Sequence, residues 1–276
     1  MPELPETETY ARDLNGLVRG AVIESVRVRR PNVLRRVRAG RALAKRLTGT
    51  SVSQVWRRAK HIIFDLASGD RLLVQPRFTG ILFLTDGYPS DAKEQYITVS
   101  LGLADGRWLH YADVRRLGTV TLLSPAQFAA FVARLGVEPL EEEFTSERLA
   151  RALRGSRQAI KKVVMDQSRI AGVGNIYAAE VLWYARIDPS RAASSLRTDE
   201  VARLRKAIVQ VLTKAVEGRG TSIRDYRDAN GAEGDYGPRL KAYGRESLPC
   251  RRCGTRLVGT MAIDGRATVF CWRCQR

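Results

Sequence analysis

The apolar positions of the chain follow two rhythms in succession. Between Glu6 and Val18, the residues Tyr10, Leu14, Leu17 and Val18 recur at helical spacing, and Gly20 stands where a helix would stop, which predicts one short N-terminal helix. From Val22 the period drops to two and β-branched residues take over, so that 22–28, 52–66, 72–84, 96–103, 108–111 and 119–123 read as strands. Ile97, Val99 and Leu101 alternate with Thr98 and Ser100, the mark of a strand with one buried face. Ala67-Ser68-Gly69-Asp70 and Ala104-Asp105-Gly106-Arg107 carry hairpin turn chemistry. The first ~125 residues therefore predict an antiparallel sandwich or barrel.

The helical rhythm returns at Ser124-Pro125-Ala126-Gln127, where Ser124 can cap, Pro125 fits the first turn and Gln127 can close a capping box. Phe128, Phe131, Val132 and Leu135 share one face, and Leu149, Ala150 and Leu153 share another between Thr145 and Gly155. Thr198 is expected to cap a longer helix whose Val201, Leu204, Ile208, Val211, Leu212 and Ala215 keep the period up to Gly218. Residues 218–244 show little periodicity and exceed an ordinary connection, which leaves a disordered stretch or a functional loop. The expected organisation is α+β and multidomain: a sheet domain over 2–123, a helical region over 124–244 and a cysteine-bearing tail over 245–276.

Charge narrows the range of partners. The 276 residues hold 47 Lys and Arg against 29 Asp and Glu, a formal net charge of +18, with 44% hydrophobic and 28% charged residues. That balance excludes global disorder and collagen-like or coiled-coil composition. It points to nucleic acid, with a generally basic surface or an anionic membrane as the competing reading. No run of about 18 apolar residues is present, and Glu3, Glu6, Glu8 and Asp13 occupy the start, so a soluble cytoplasmic protein that meets the nucleoid through DNA is expected.

Three motifs carry candidate chemistry. Cys250-x2-Cys253 and Cys271-x2-Cys274 have the spacing of two knuckles that bring four thiolates around one Zn²⁺, a closed shell and so a structural site; two disulfides or a redox pair are the alternative. Gly265-Arg266-Ala267-Thr268 falls where the hairpin of such a ribbon would turn, as a duplex-reading element or as a solvated tip. Gly172-Val173-Gly174-Asn175, directly before the helical pattern Ile176, Ala179, Glu180, Trp183, makes a tight loop at a helix N-terminus that either presents N–H groups to a phosphate or is a simple helix–helix turn. At the start, removal of Met1 from Met1-Pro2-Glu3-Leu4-Pro5-Glu6 would expose Pro2 as a secondary amine, with Glu3 and Glu6 beside it as proton-transfer groups.

Taken with Arg57-Arg58-Ala59-Lys60 and Asp113-Val114-Arg115-Arg116-Leu117-Gly118, these pieces occur in the order and rough spacing of the formamidopyrimidine-DNA glycosylases, a family that also includes endonuclease VIII, and the chain resembles that family from residue 2 to residue 276. The resemblance implies an N-terminal β-sandwich with a short helix, a helix–two-turn–helix domain and a four-cysteine zinc finger, with damaged double-stranded DNA bound across a cleft by a monomer. It implies Pro2 as the nucleophile on C1′, Glu3 as acid and base, and Lys60 and Arg266 as cations on the DNA backbone. It also implies Lys161 (or its neighbour Lys162) and Asn175 as phosphate contacts, and Phe78, Arg115 and Leu117 as wedges that fill the space of an extruded base. Arg224 stands where the family has Lys in the lesion-covering loop, Phe78 where it has Met, and Leu117 where it usually has Phe. The implied activity is excision of oxidised purines followed by β,δ-elimination in base excision repair, with one structural Zn²⁺. The rivals are an endonuclease VIII-like preference for oxidised pyrimidines and a non-catalytic DNA-binding protein.

Overall fold

The computed structural model describes residues 2–36, 40–89 and 95–276. Its contacts divide the chain into one unit of Met1–Ala133 with Gly218–Asp235 and another of Arg134–Glu217 with Tyr236–Arg276. The segment expected as one helical region, 124–244, thus contributes to both units.

In the first unit, helix α1 (Leu4–Val18) precedes strands β1 (Ile23–Val28), β2 (Leu34–Arg35), β3 (Val52–Arg58), β4 (His61–Leu66), β5 (Arg71–Gln75), β6 (Gly80–Asp86), β7 (Ile97–Leu103), β8 (Arg107–Asp113) and β9 (Thr119–Leu123). They form a four-stranded sheet in the order β1-β7-β8-β6 and a five-stranded sheet in the order β2-β9-β5-β4-β3. Phe64, Leu72, Val74 and Val120 from the second sheet share one core with Leu82, Val99, Leu101 and Leu109 from the first, so the fold is a sandwich rather than a barrel. The pairing is antiparallel apart from β2 with β9, where Leu34 lies opposite Val120 in a parallel register. Tyr10, Leu14 and Val18 of α1 join the same core.

Two stretches expected as single strands are each two strands, the first a hairpin of β3 with β4 and the second a crossing from β5 in one sheet to β6 in the other. The 52–66 run turns at Ala59-Lys60, with Ala59 at φ 54°, and the 72–84 run breaks at 76–79, where Pro76 has no N–H to give a ladder and Arg77 takes φ 50°. Neither turn contains glycine, which is why the alternating pattern runs through them without a visible break. A helix α2 (Gly40–Leu47), not anticipated, follows β2 and buries only Leu43 and Leu47. Helix α3 (Pro125–Val132) has the expected capping box, with Ser124 Oγ accepting from Gln127 N–H and Gln127 Oε1 from Ser124 N–H, and sets Phe128 against Ile63, Leu73 and Leu123 on the outer face of the five-stranded sheet. Residues 218–235 are ordered: Tyr226 meets Tyr10 edge-to-face at 5.6 Å, and Arg219 binds both Asp13, at 2.6 Å, and Asp228.

The second unit contains α4 (Ser146–Leu153), the short α5 (Ile160–Val164), α6 (Asn175–Ala185), α7 (Thr198–Glu217) and the ribbon β10 (Val258–Thr260) with β11 (Thr268–Phe270). Helix α6 is apolar on nearly every face and accordingly lies in the core. Thr198 is the first residue of α7 rather than its cap; Glu200 closes that end by accepting from Arg197 N–H at 2.9 Å, a carboxylate on a backbone donor being the stronger partner. The ribbon and its cysteines pack on Ala179 and Trp183 of α6.

Candidate active site and nucleic-acid surfaces

The N-terminal residues are held, not frayed. Pro5 fits the first turn of α1, and the Glu3-x-x-Glu6 spacing closes a capping box. One Glu6 oxygen accepts from Glu3 N–H at 2.7 Å and the other from Thr221 N–H at 2.8 Å. Glu6 therefore pins the helix start to the 218–235 segment through both its oxygens. The approach is tight. Gly220 sits at φ 85°, a conformation closed to most side chains, and a Cβ there would lie 2.8 Å from the Glu6 carboxylate. Pro2 is buried beside Glu3, which is 1% exposed; Met1 lies outside the described residues.

Lys60 stands in the β3–β4 turn. The buried Arg57 ties that turn to α1, since its Nε meets Glu8 at 2.8 Å and its Nη1 meets Ala59 O at 3.1 Å. The short Arg57-Arg58-Ala59-Lys60 motif thus supplies both the cation and the anchor that aims it.

The candidate wedges sit on two loops of the same unit. Phe78 is 45% exposed, Leu117 is 39% exposed, and the Arg115 guanidinium lies 5.0 Å from the Phe78 ring centre. Large apolar side chains left in water at two adjacent turns call for a partner. The buried Asp113 joins these loops. One oxygen accepts from Thr79 Oγ1 at 2.6 Å and Arg115 N–H at 3.2 Å, the other from Gly118 N–H at 2.8 Å and Tyr111 Oη at 3.1 Å. Burial is the main cause that raises the Tyr111 phenol, with the neighbouring carboxylate adding to it, so Tyr111 stays a donor. Asp113 opens the Asp113–Gly118 motif, yet nothing in the sequence marks its role, because its partner Thr79 is 34 residues away and beyond any local spacing rule.

In the second unit, the Gly172-Val173-Gly174 loop is held by Gln167, whose Oε1 accepts from Gly172 N–H and whose Nε2 donates to Val173 O, both at 2.8 Å. Asn175 opens α6, and its Nδ2 donates to Ala267 O at 3.1 Å while its buried Oδ1 has no hydrogen-bond partner among the described residues. Lys161 reaches the same turn: it is 1% exposed, with Nζ 2.9 Å from Ala267 O and 2.7 Å from Thr268 Oγ1. It is a buried clamp beneath Arg266, whereas Lys162 is exposed and 3.9 Å from Asp264. Arg266 and Arg224 point to solvent, with Asp264 and Asp225 as their respective neighbours. Glu180, a single charge in the apolar α6, accepts from the N–H groups of Lys241, Ala242 and Tyr243 at 2.8 to 2.9 Å and so fixes the chain leading into the finger. Its burial pushes the carboxyl upward against those three donors. A lone acid on an apolar helix face was the available signal for it.

The Sγ atoms of Cys250, Cys253, Cys271 and Cys274 all lie within 4.8 Å of one another. Sulfurs about 2.3 Å from a tetrahedral centre stand about 3.8 Å apart, so the donor set fits one metal ion with no position left open. No helix among the described residues is long and apolar enough to cross a membrane.

Comparison with known proteins agrees with this arrangement. Residues 1–120 match the formamidopyrimidine-DNA glycosylase N-terminal domain and residues 135–227 match the formamidopyrimidine-DNA glycosylase H2TH domain. Formamidopyrimidine-DNA glycosylases of Pelotomaculum thermopropionicum and Thermomicrobium roseum are 38% and 40% identical, over 100% of this chain and 99% of each relative. Among solved structures, a Lactococcus lactis Fpg mutant in complex with Fapy-dG containing DNA superposes with a TM-score of 0.91 at 34% identity over 100% of both chains. The MutM (Fpg) protein of Thermus thermophilus gives 0.87 at 36% identity, covering 99% of this chain and 98% of that one. With both domain models matched in order, relatives alike from end to end, and a four-thiol site where the finger was expected, the chain belongs to the formamidopyrimidine-DNA glycosylase family of DNA-repair enzymes.

Proposed function

We propose that this chain is a bifunctional glycosylase and AP lyase that removes oxidised purines, 8-oxoguanine and formamidopyrimidines, from double-stranded DNA. The observation that carries the reading is the buried Pro2-Glu3 start, fixed through Glu6 to both Glu3 N–H and Thr221 N–H. Once Met1 is removed, the Pro2 amine attacks C1′ of the damaged nucleotide; the C1′–N bond breaks, and the base leaves with a proton. The sugar ring opens as Glu3 passes a proton to the ring oxygen, leaving an iminium between Pro2 and C1′. That cation acidifies the neighbouring C–H, so the 3′ and then the 5′ phosphate leave by β,δ-elimination. Lys60, on its anchored turn, holds a phosphate near the lesion.

Extrusion of the base leaves a gap that Phe78, Arg115 and Leu117 fill. Asn175 and Arg266 hold backbone phosphates, and Lys161 supports them through the turn it clamps. Arg224 lies over the extruded purine; as a guanidinium it binds but cannot act as a spare amine nucleophile. Zn²⁺ is the ion the four cysteines fit, and when bound it supplies folding energy to the finger and takes no part in the bond-breaking steps. Likeness to Lactococcus lactis Fpg complexes with Fapy-dG and abasic-site DNA supports the substrate class. Borohydride trapping on duplexes carrying 8-oxoguanine opposite C, or thymine glycol opposite A, tests it. Strong trapping on the first and little on the second is expected; the reverse would assign the chain to the oxidised-pyrimidine branch.

A further inference from the structure

The finger has two ends with different surroundings. The β10–β11 turn, with Arg266, is held by Lys161 and Asn175. At the other end the cysteine knuckles border a 740 Å³ basin, lined by Cys253, Cys274 and seven arginines, with Glu200 as the carboxylate in its wall. Some of these arginines are committed to the fold. Arg191 meets Glu200 at 2.6 Å, and Arg252 lies 4.0 Å over the Trp183 ring and donates to Trp183 O at 3.2 Å. Arg197 and Arg203 pair with Asp199 at 3.1 and 2.9 Å. The side chains of Arg186, Arg273 and Arg276 are exposed and make no ion pair among the described residues. Like charges gathered in a concavity raise the local potential and repel one another unless an anion enters.

Trp272 lies in the same knuckle, between Cys271 and Arg273, and is 60% exposed. Most of the indole is therefore open to water. Trp272 is not itself in the basin's lining but is the chain neighbour of Arg273, which is in it; guanidinium forks suited to phosphate and an exposed aromatic ring are the two parts of a single-strand binding surface, a cationic groove for the backbone and a platform on which any base stacks. An acidic peptide would satisfy the arginines but has less use for the open indole.

We propose that this basin, with the neighbouring Trp272 outside its lining, is a second nucleic-acid site, which takes a short single-stranded DNA segment with phosphates on Arg186, Arg273 and Arg276 and a base on Trp272. It lies at the opposite end of the ribbon from Arg266, so it serves a strand other than the one that Arg266 holds.

The test uses the full-length, zinc-loaded protein saturated with an uncleavable abasic-analogue duplex, to which a fluorescent oligo-dT about 12 nucleotides long is added and followed by anisotropy. Binding to the saturated protein is expected. Arg186→Glu with Arg273→Glu should weaken it at least about tenfold and lower the salt slope by roughly 1.4, at about 0.7 for each lost phosphate contact. Trp272→Ala should weaken it about fivefold. Affinity for the lesion duplex and base release should stay as in the wild type, and Arg273→Lys should restore much of the oligo-dT binding. If Arg273→Glu disturbs the metal site, Arg186→Glu alone, on the helix end and outside the knuckles, reads the same effect. No oligo-dT binding to the saturated protein, or wild-type affinity in these variants, would overturn the proposal. So would an oligo-glutamate peptide that binds where oligo-dT does not, since it would assign the basin to an acidic protein.

Discussion

Asp113 gathers four donors on its two oxygens, and two of them, Arg115 N–H and Gly118 N–H, are backbone groups that cannot reverse their role. In Asp113→Asn one of these must face the amide NH2, whichever way the side chain is turned. The variant should lose about 1 to 3 kcal/mol in the melt of the first unit. It should also release a paired lesion base more slowly while cutting a preformed abasic site at near wild-type rate, because only the former needs both wedge loops held in place. A variant as stable as the wild type, with both reactions unchanged, would show that the loops hold themselves. The candidate site is legible in the sequence where chemistry is local: the two CxxC pairs announce themselves by spacing, whereas the Pro2-Glu3 start gains a catalytic reading only in combination with the other motifs. Asp113, Glu6 and Lys161 are not legible in their actual roles. Their partners lie at Thr79, Thr221 and Thr268, and only the fold brings those together.

Among the secondary-structure elements, the hydrophobic rhythm identifies α1, most strands and the capped helices, because one buried face per element imposes its period on the sequence. It fails where a turn is built without glycine, at Ala59-Lys60 and at 76–79, and these are the turns that carry Lys60 and Phe78. Phe78→Ala should therefore lower excision from a paired lesion much more than cleavage at an abasic site. Equal losses on both substrates would make Phe78 a packing residue of the loop. The two sheets carry a second consequence, one histidine in each. His110 on β8 is buried, between Ser100 Oγ and Thr85 Oγ1 at 2.8 Å each, and burial lowers its pKa to about 4; His61 on β4 is lowered to about 4 for the same reason. Each ring is neutral in the fold and charges more readily when unfolded. Stability is thus fully present above about pH 6.5 and falls as the pH drops from there toward 4, by at most about 3 kcal/mol for each ring. Urea melts between pH 7 and pH 4.5, with the ring resonances followed by NMR, check this; ring titration near pH 6.5 in the folded protein would contradict it.

For the molecule as a whole, the excess of basic residues should make DNA affinity fall steeply with salt, which a salt titration of binding checks. Metal removal should act on one part only. The last ~30 residues have too little core to fold alone, so chelation should unfold the finger and leave the melt of the sandwich unit unchanged. Arg266→Ala, with metal present, should weaken lesion and undamaged DNA alike and reduce the salt slope by about 0.9. Metal-free protein that binds DNA with unchanged affinity and slope would remove the finger from the binding surface.

The proposed chemistry depends above all on the amine of Pro2 as the nucleophile. Borohydride reduction on an 8-oxoguanine:C duplex, followed by digestion and mass spectrometry of the cross-linked peptide, reads that amine directly when the wild type is set beside Pro2→Gly. A sugar adduct on the N-terminal peptide, carried by Pro2, is expected, with a sharp loss of cross-link in the variant. An adduct mapped to a lysine, or wild-type trapping by Pro2→Gly, would refute the N-terminal nucleophile.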